Sequence, residues 1–318
     1  MGTMKPKGGS GPDASAGLPD AAGAFPHIDG VSHRFITVPG LQIHVAEAGT
    51  GSPLLLLHAF PQHWWGWRKM IPLLAQNFHV ICPDLRGAGW TDAPPGGYTS
   101  EQLVADAIAL LDALSTEKTD IIGCDEGGYV GFRFCLFHPE RVGKFICLAT
   151  PHPYPEFHVR MLLHLVQLWP MFATSLPGIG PRLLGQGSQR LPRMMMETDD
   201  LSVRTQADLE YFLAPLREPA RARAGSALYR DFTLKDIIRS LAGAYRGTRL
   251  STPTRSLYGK ALYGNDQPPG KHPEILSGYE DHTDDFDLEH IPGAGYYMAE
   301  EQPEVIANRA REFFLTST

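Results

Sequence analysis

A chain of 318 residues with 43% hydrophobic and 10% aromatic content can bury one large core. Its formal net charge of −7, with acidic and basic residues interspersed, argues against nucleic acid or an anionic membrane surface as the main partner. No run approaches the ~20 apolar residues that span a bilayer, so no membrane association is expected and a small molecule is the expected partner.

The first 25 residues are rich in Gly, Ala, Pro, Asp and Ser and lack an apolar stretch of signal-peptide length; they read as a disordered tail. Residues 35–45 alternate apolar and polar side chains around Pro39-Gly40, the pattern of a hairpin. The nearly continuous apolar run 53–58 reads as a central parallel strand covered on both faces. Helix is then expected over 64–74, strand over 78–83, and helix over 101–114 on its Leu103/Ala107/Leu110/Leu111/Leu114 stripe. Strand 120–123, helix 127–137 and strand 144–149 continue the alternation, which predicts an α/β fold with a doubly wound, mostly parallel sheet. From 151 to about 250 only helical patterns remain, at 157–168, 206–214 and 236–244, and these predict an inserted helical cap. Strand character returns at 252–258 and 287–291, and a closing helix is expected over 303–314. The expected division is therefore core over 26–150, cap over 151–250 and core again over 251–318. Cys82, Cys124, Cys135 and Cys147 lie in apolar runs without CxxC spacing, which suits structural thiols in a reducing cytoplasm.

The segment Gly123-Cys124-Asp125-Glu126-Gly127-Gly128 lies between a predicted strand and a predicted helix, in the small-x-nucleophile-x-small-small frame of a nucleophile elbow. Such a turn pushes its central side chain above the sheet at a helix N-terminus, where the dipole steadies an anion. That side chain is Asp125. Taking Cys124 as the nucleophile instead would put Ile122 and Glu126 at positions that must be small.

With His58-Ala59-Phe60-Pro61, Trp64-Trp65-Gly66-Trp67-Arg68, Pro83-Asp84-Leu85-Arg86-Gly87-Ala88-Gly89, His138-Pro139-Glu140-Arg141-Val142 and Pro151-His152-Pro153, the chain resembles the epoxide hydrolase and haloalkane dehalogenase branch of the α/β-hydrolase superfamily. The resemblance covers most of the chain outside the cap. It implies an α/β-hydrolase fold with a helical cap, a catalytic carboxylate at Asp125, and an oxyanion hole built from the backbone N–H groups of Phe60 and Glu126. Ala59 stands where the branch usually has Gly. The branch places cap tyrosines on the epoxide oxygen: Ser226-Ala227-Leu228-Tyr229-Arg230 is similar to one such site and makes Tyr229 a candidate donor, whereas the other position is Val166. His58, Trp64, Trp65, Cys124, Val166, Trp169 and Tyr297 are expected to line a substrate pocket. No metal and no cofactor is expected.

The pattern breaks where the branch needs its histidine. Gly293-Ala294-Gly295-Tyr296 precedes the acidic Glu300-Glu301-Gln302-Pro303-Glu304 stretch, and Tyr296 stands at the histidine's position. A phenol with a reference pKa ≈ 10 is a poor base at neutral pH and a fair hydrogen-bond donor. The expected carboxylate partner falls on Leu262; Asp266 is close in sequence, and His282 and His290 are candidate replacements for the base. Glu126 either repels an anionic substrate from the pocket, favouring a neutral one, or turns out to solvent. These departures predict an epoxide-hydrolase-like enzyme of secondary metabolism that forms or rearranges bonds without hydrolysis, with Asp125 as base or anchor and Tyr229 and Tyr296 as donors. A true epoxide hydrolase with a relocated base and a non-catalytic binding protein are the alternatives.

Overall fold

In the computed structural model, which describes residues 25–156, 168–198, 202–260, 272–273 and 276–316, the apolar runs pair into one sheet. Its strands are β1 (Ser32–Val38), β2 (Leu41–Ala48), β3 (Ser52–Leu57), β4 (Phe78–Pro83), β5 (Thr119–Cys124), β6 (Val142–Leu148), β7 (Thr254–Tyr258) and β8 (Phe286–His290). They lie in the order β1-β2-β4-β3-β5-β6-β7-β8. β2 runs antiparallel to both β1 and β4, and all pairings from β4 to β8 are parallel. The β1–β2 hairpin turns on Pro39-Gly40, as its sequence requires: proline pre-sets the first turn position and Gly40 takes φ 73°.

Leu54 through Leu57 are fully buried, because helices cover both faces of the sheet. α1 (Ile71–Leu74), α2 (Ser100–Ala113), α3 (Glu126–Phe137) and the C-terminal pair α10 (Met298–Glu301) and α11 (Pro303–Leu315) supply these layers, α4–α9 belonging to the cap below. The helix expected over 64–74 is two pieces, a 3₁₀ turn at Trp64–Trp67 and α1. Pro72 explains the break: it lacks the N–H that an uninterrupted helix would need there, and it sits in the first turn of α1 instead.

Between β6 and β7 the described chain is helical: α4 (Trp169–Ser175), α5 (Ile179–Gly185), α6 (Arg190–Met195), α7 (Gln206–Leu213), α8 (Pro219–Leu228), a π-helical turn at Tyr229–Thr233, and α9 (Leu234–Leu241). The helix expected over 157–168 falls almost wholly outside the described residues. α7 starts on a capping box in which Thr205 and Asp208 satisfy each other's backbone N–H. The cap is fastened to the core by Glu300 of α10, which pairs with Arg68 of the core and Arg204 of the cap. The hydroxyl of Tyr297 adds a bond to the carbonyl of Met195 at 2.7 Å.

Candidate active site

The turn from β5 into α3 has no room for side chains on either flank. A Cβ on Gly123 would stand 2.4 Å from the Gly127 carbonyl oxygen, and one on Gly127 would stand 2.1 Å from that of Leu57. Between them Asp125 adopts φ 54° and ψ −117°, a strained conformation for a non-glycine residue, held in place by its surroundings. Its backbone is pinned by Asp125 N–H to Leu148 O at 3.3 Å and by the Thr150 hydroxyl to Asp125 O at 3.1 Å. The carboxylate is 8% exposed at the head of α3, so the elbow presents it where the sequence places it.

Glu126, the next residue, is 1% exposed and does not turn out to solvent. Its side chain folds back over the turn, where Phe60 N–H donates to Oε2 at 2.9 Å and its own backbone N–H also donates to the carboxyl group. The two amides expected to form an oxyanion hole are therefore both aimed at the Glu126 side chain. The Thr233 hydroxyl donates to Oε1 at 3.4 Å. Burial, the charge of Asp125 and a hydrogen bond to Asp125 push the Glu126 carboxyl well above the ordinary glutamate range. Like-charge repulsion between the neighbouring acids thus disfavours ionisation of Glu126.

Phenols surround this pair. Tyr296 hydrogen-bonds Asp125, and burial together with the two acids holds its hydroxyl well above the usual tyrosine range. Tyr229, at the first residue of the π-helical turn, is buried, stacks edge-on against Phe60 at 5.1 Å, and is raised by burial, then by Glu126 and Asp125. Tyr129, one helical turn after Asp125, is raised by the same causes. Sequence reasoning passed over Tyr129 and Thr233. The i+4 spacing from Asp125 on α3 marked the first, while the second reaches Glu126 only through the π-helical register.

No described imidazole serves Asp125. His58 is near, but its Nδ1 meets the Ala59 carbonyl at 2.8 Å and its Nε2 accepts Leu85 N–H at 2.9 Å, so both nitrogens are spent on the loop. Burial lowers its pKa. The ring of His282 stacks on Tyr154 at 4.7 Å, and that of His290 lies against Tyr258 at 5.3 Å; the two rings offered by the sequence as replacement bases are engaged there. Asp266, Leu262 and Val166 lie outside the described residues.

The aromatic residues expected to line the pocket divide. Trp64 is fully buried, edge-on to His33 and Trp65, and is a core residue. Trp65 bridges core and cap by donating Nε1–H to Asp208 Oδ1 at 2.8 Å. Trp169 is 52% exposed on α4. Tyr297 is buried under Arg204, whose guanidinium sits 4.0 Å from the ring centre, and Cys124 is buried behind Asp125. His58 and Glu126 line an apolar cleft with Phe60, Leu85, Phe212 and Leu228, between the core loops and the cap.

Residues 52–183 match the family of the alpha/beta hydrolase fold. The chain is similar to the soluble epoxide hydrolase of Corynebacterium sp. strain C12, 27% identical over 297 residues that cover 89% of this chain and 97% of that protein. It is 39% identical to epoxide hydrolase 3 of Siraitia grosvenorii over 126 residues, 39% of this chain and 40% of that protein. With epoxide hydrolase 2 of the same plant it aligns over 42% of that protein, so the chain spans about two-fifths of the length of these two relatives. Among solved structures, an epoxide hydrolase of Vigna radiata superposes with a TM-score of 0.74 at 24% identity, over 90% of this chain and 99% of that one, a likeness of fold. Among the described residues no helix is long and apolar enough to cross a membrane.

Proposed function

This chain is an α/β-hydrolase-fold protein of the epoxide hydrolase-like branch, and on that premise we propose that it is an enzyme that opens a neutral, hydrophobic, epoxide-bearing small molecule without carrying the reaction through to hydrolysis. Asp125 attacks one ring carbon and Tyr229 hydrogen-bonds the ring oxygen from the cap. The observation that carries the reading is the group facing Asp125 after β8. It is a phenol, Tyr296, held above its usual pKa by burial and by the acids it faces. A group that holds its proton so firmly supports an anion and does not draw a proton from water.

Two further observations support the reading. The cleft beside Glu126 is walled mainly by apolar side chains, and the acids at the elbow meet no described cation that could receive a substrate's own negative charge. A carbon bonded to Asp125 is then released by a nucleophile within the substrate, which gives a rearranged or coupled product of the kind made in secondary metabolism. The four thiols, all free and buried, suit a reducing cytoplasm for this work.

The test is to incubate the protein with an aryl epoxide and weigh the intact chain. The expected result is a persistent adduct of one substrate mass, absent in Asp125→Asn. Sustained release of free diol over many turnovers would overturn the non-hydrolytic reading. An unmodified chain that turns over nothing would overturn the nucleophilic role of Asp125.

A further inference from the structure

Glu126 has surroundings that set it apart from other deeply buried carboxylates. Asp84 meets His44 at 2.8 Å, Asp236 meets Arg133 at 3.0 Å, and Glu300 meets Arg68 and Arg204, so each has a positive or protonatable partner. Glu126, buried to 1%, meets no cation among the described residues; its partners are two amides, a hydroxyl and another acid. An isolated buried anion is costly and a neutral acid is not. The surroundings nevertheless provide for the anion too, since both amides and the hydroxyl of Thr233 donate into this carboxyl group. A group stored with its proton, in a cradle ready for its conjugate base, is built to give that proton away.

Building on the reading of Asp125 as the ring-opening nucleophile, we propose that Glu126 is the general acid of the same step, and that the oxyanion hole of this fold here receives the carboxylate of Glu126 in place of an ester oxyanion. A bond forms between Asp125 Oδ and an epoxide carbon. The C–O bond to that carbon breaks, its electron pair stays on oxygen, and the proton on Glu126 Oε moves to that oxygen. Before the step Asp125 carries the negative charge and Glu126 is neutral; afterwards Asp125 is a neutral ester and Glu126 the carboxylate.

The buried site therefore holds one negative charge throughout, and no second charge has to be desolvated. The step also drives itself in the right sense. As Asp125 gives up its charge, the repulsion that kept the proton on Glu126 disappears, so the acid strengthens while the alkoxide is forming. Tyr229 and Tyr296 are held above the usual phenol range, and so they polarise the oxygen without releasing their protons. With the cradle filled by Glu126, a tetrahedral intermediate from water attack on the Asp125 ester would also find no donors free.

The experiment compares two alkylating agents on the full chain, an aryl epoxide and an arylalkyl bromide of similar size, with adduct formation at Asp125 followed by intact mass. The epoxide oxygen must be protonated as it leaves, whereas bromide leaves as the anion. In Glu126→Gln the amide keeps the size and an acceptor for Phe60 N–H but has no acidic proton. The expected result is an epoxide rate lower by roughly 100-fold or more, with the bromide rate within about threefold of the parent; the retained bromide reaction also reports an intact fold. An unchanged epoxide rate, or equal falls for both reagents, overturns the acid role while leaving Asp125 a nucleophile. A parent chain alkylated by neither reagent overturns both readings.

Discussion

Glu300 and Glu126 are equally buried, at 1% exposure each, and their surroundings could hardly differ more. Glu300 takes hydrogen bonds from Gln62, Arg68 and Arg204, gathering core loop, cap and α10 around one charge. Glu126 lies against Asp125 with no described cation near. Burial alone therefore does not decide what a carboxyl group does; its partners do. Where guanidinium groups meet the acid, the group fastens structure together. Where a second acid meets it, the proton stays, and the group can take part in chemistry. The two regions are joined by adjacent tyrosines, Tyr296 facing Asp125 and Tyr297 lying under Arg204.

The sharpest way to break this comparison is to remove the paired acid. Glu300→Ala leaves two guanidinium groups buried, and Arg204 loses its only carboxylate partner among the described residues while Arg68 keeps Asp208 at 3.1 Å. Breaking a buried pair from one side costs about 3–5 kcal/mol, so urea unfolding is expected to show a loss of that size with little dependence on salt. A loss below about 1 kcal/mol, the scale of a surface pair, would mean that the cluster is not what fastens cap to core.

The unpaired acid should behave in the opposite sense, and with pH. A carboxyl whose folded pKa is raised binds more protons in the folded chain than in the unfolded one once pH passes the unfolded value near 4.5. Stability then falls as pH rises, by about 1.4 kcal/mol per pH unit for one proton, until the folded group titrates. Glu126→Gln removes that slope. Urea midpoints of the parent and the variant are expected to be close at pH 4 and to diverge in the variant's favour from pH 5 to 7. Because the charge of Asp125 helps to raise Glu126, Asp125→Asn should flatten the same slope. Parallel curves would show that Glu126 is not the group that holds the extra proton.

How far this contrast could be read from the sequence follows from which constraints are local. The strand at Phe78–Pro83 and the elbow were legible because apolar runs and obligatory glycines act over a few residues; Gly123 and Gly127 are fixed by clashes within the turn itself. The direction of the Glu126 side chain was not legible, since it depends on the Phe60 amide 66 residues earlier and Thr233 107 residues later. The acidic stretch around Glu300 marked the end of the fold family's motif, but its pairing with Arg68 and Arg204 spans 232 and 96 residues. The placement of the tryptophans was not legible for a related reason: apolar character says that a ring is buried or at an interface, and not which side of Asp125 it faces.

The smallest expected effect tests the hinge between the two regions. Tyr297 differs from its neighbour in that its hydroxyl has a fixed duty, donating to the Met195 carbonyl at 2.7 Å where α6 ends. Tyr297→Phe keeps the ring under Arg204, so the cation–π contact survives, and it leaves a cap carbonyl short of its donor. A neutral hydrogen bond of this kind is worth about 1 kcal/mol, and the loss should be insensitive to pH between 5 and 8, because a hydroxyl held above the usual phenol range stays protonated throughout. Urea unfolding across that range gives the size, and amide exchange at Arg193 to Met196, which fray first if the cap end has been loosened, gives the place. A loss that grows with pH would tie Tyr297 to the acid pair at the elbow and dissolve the boundary drawn between it and Tyr296.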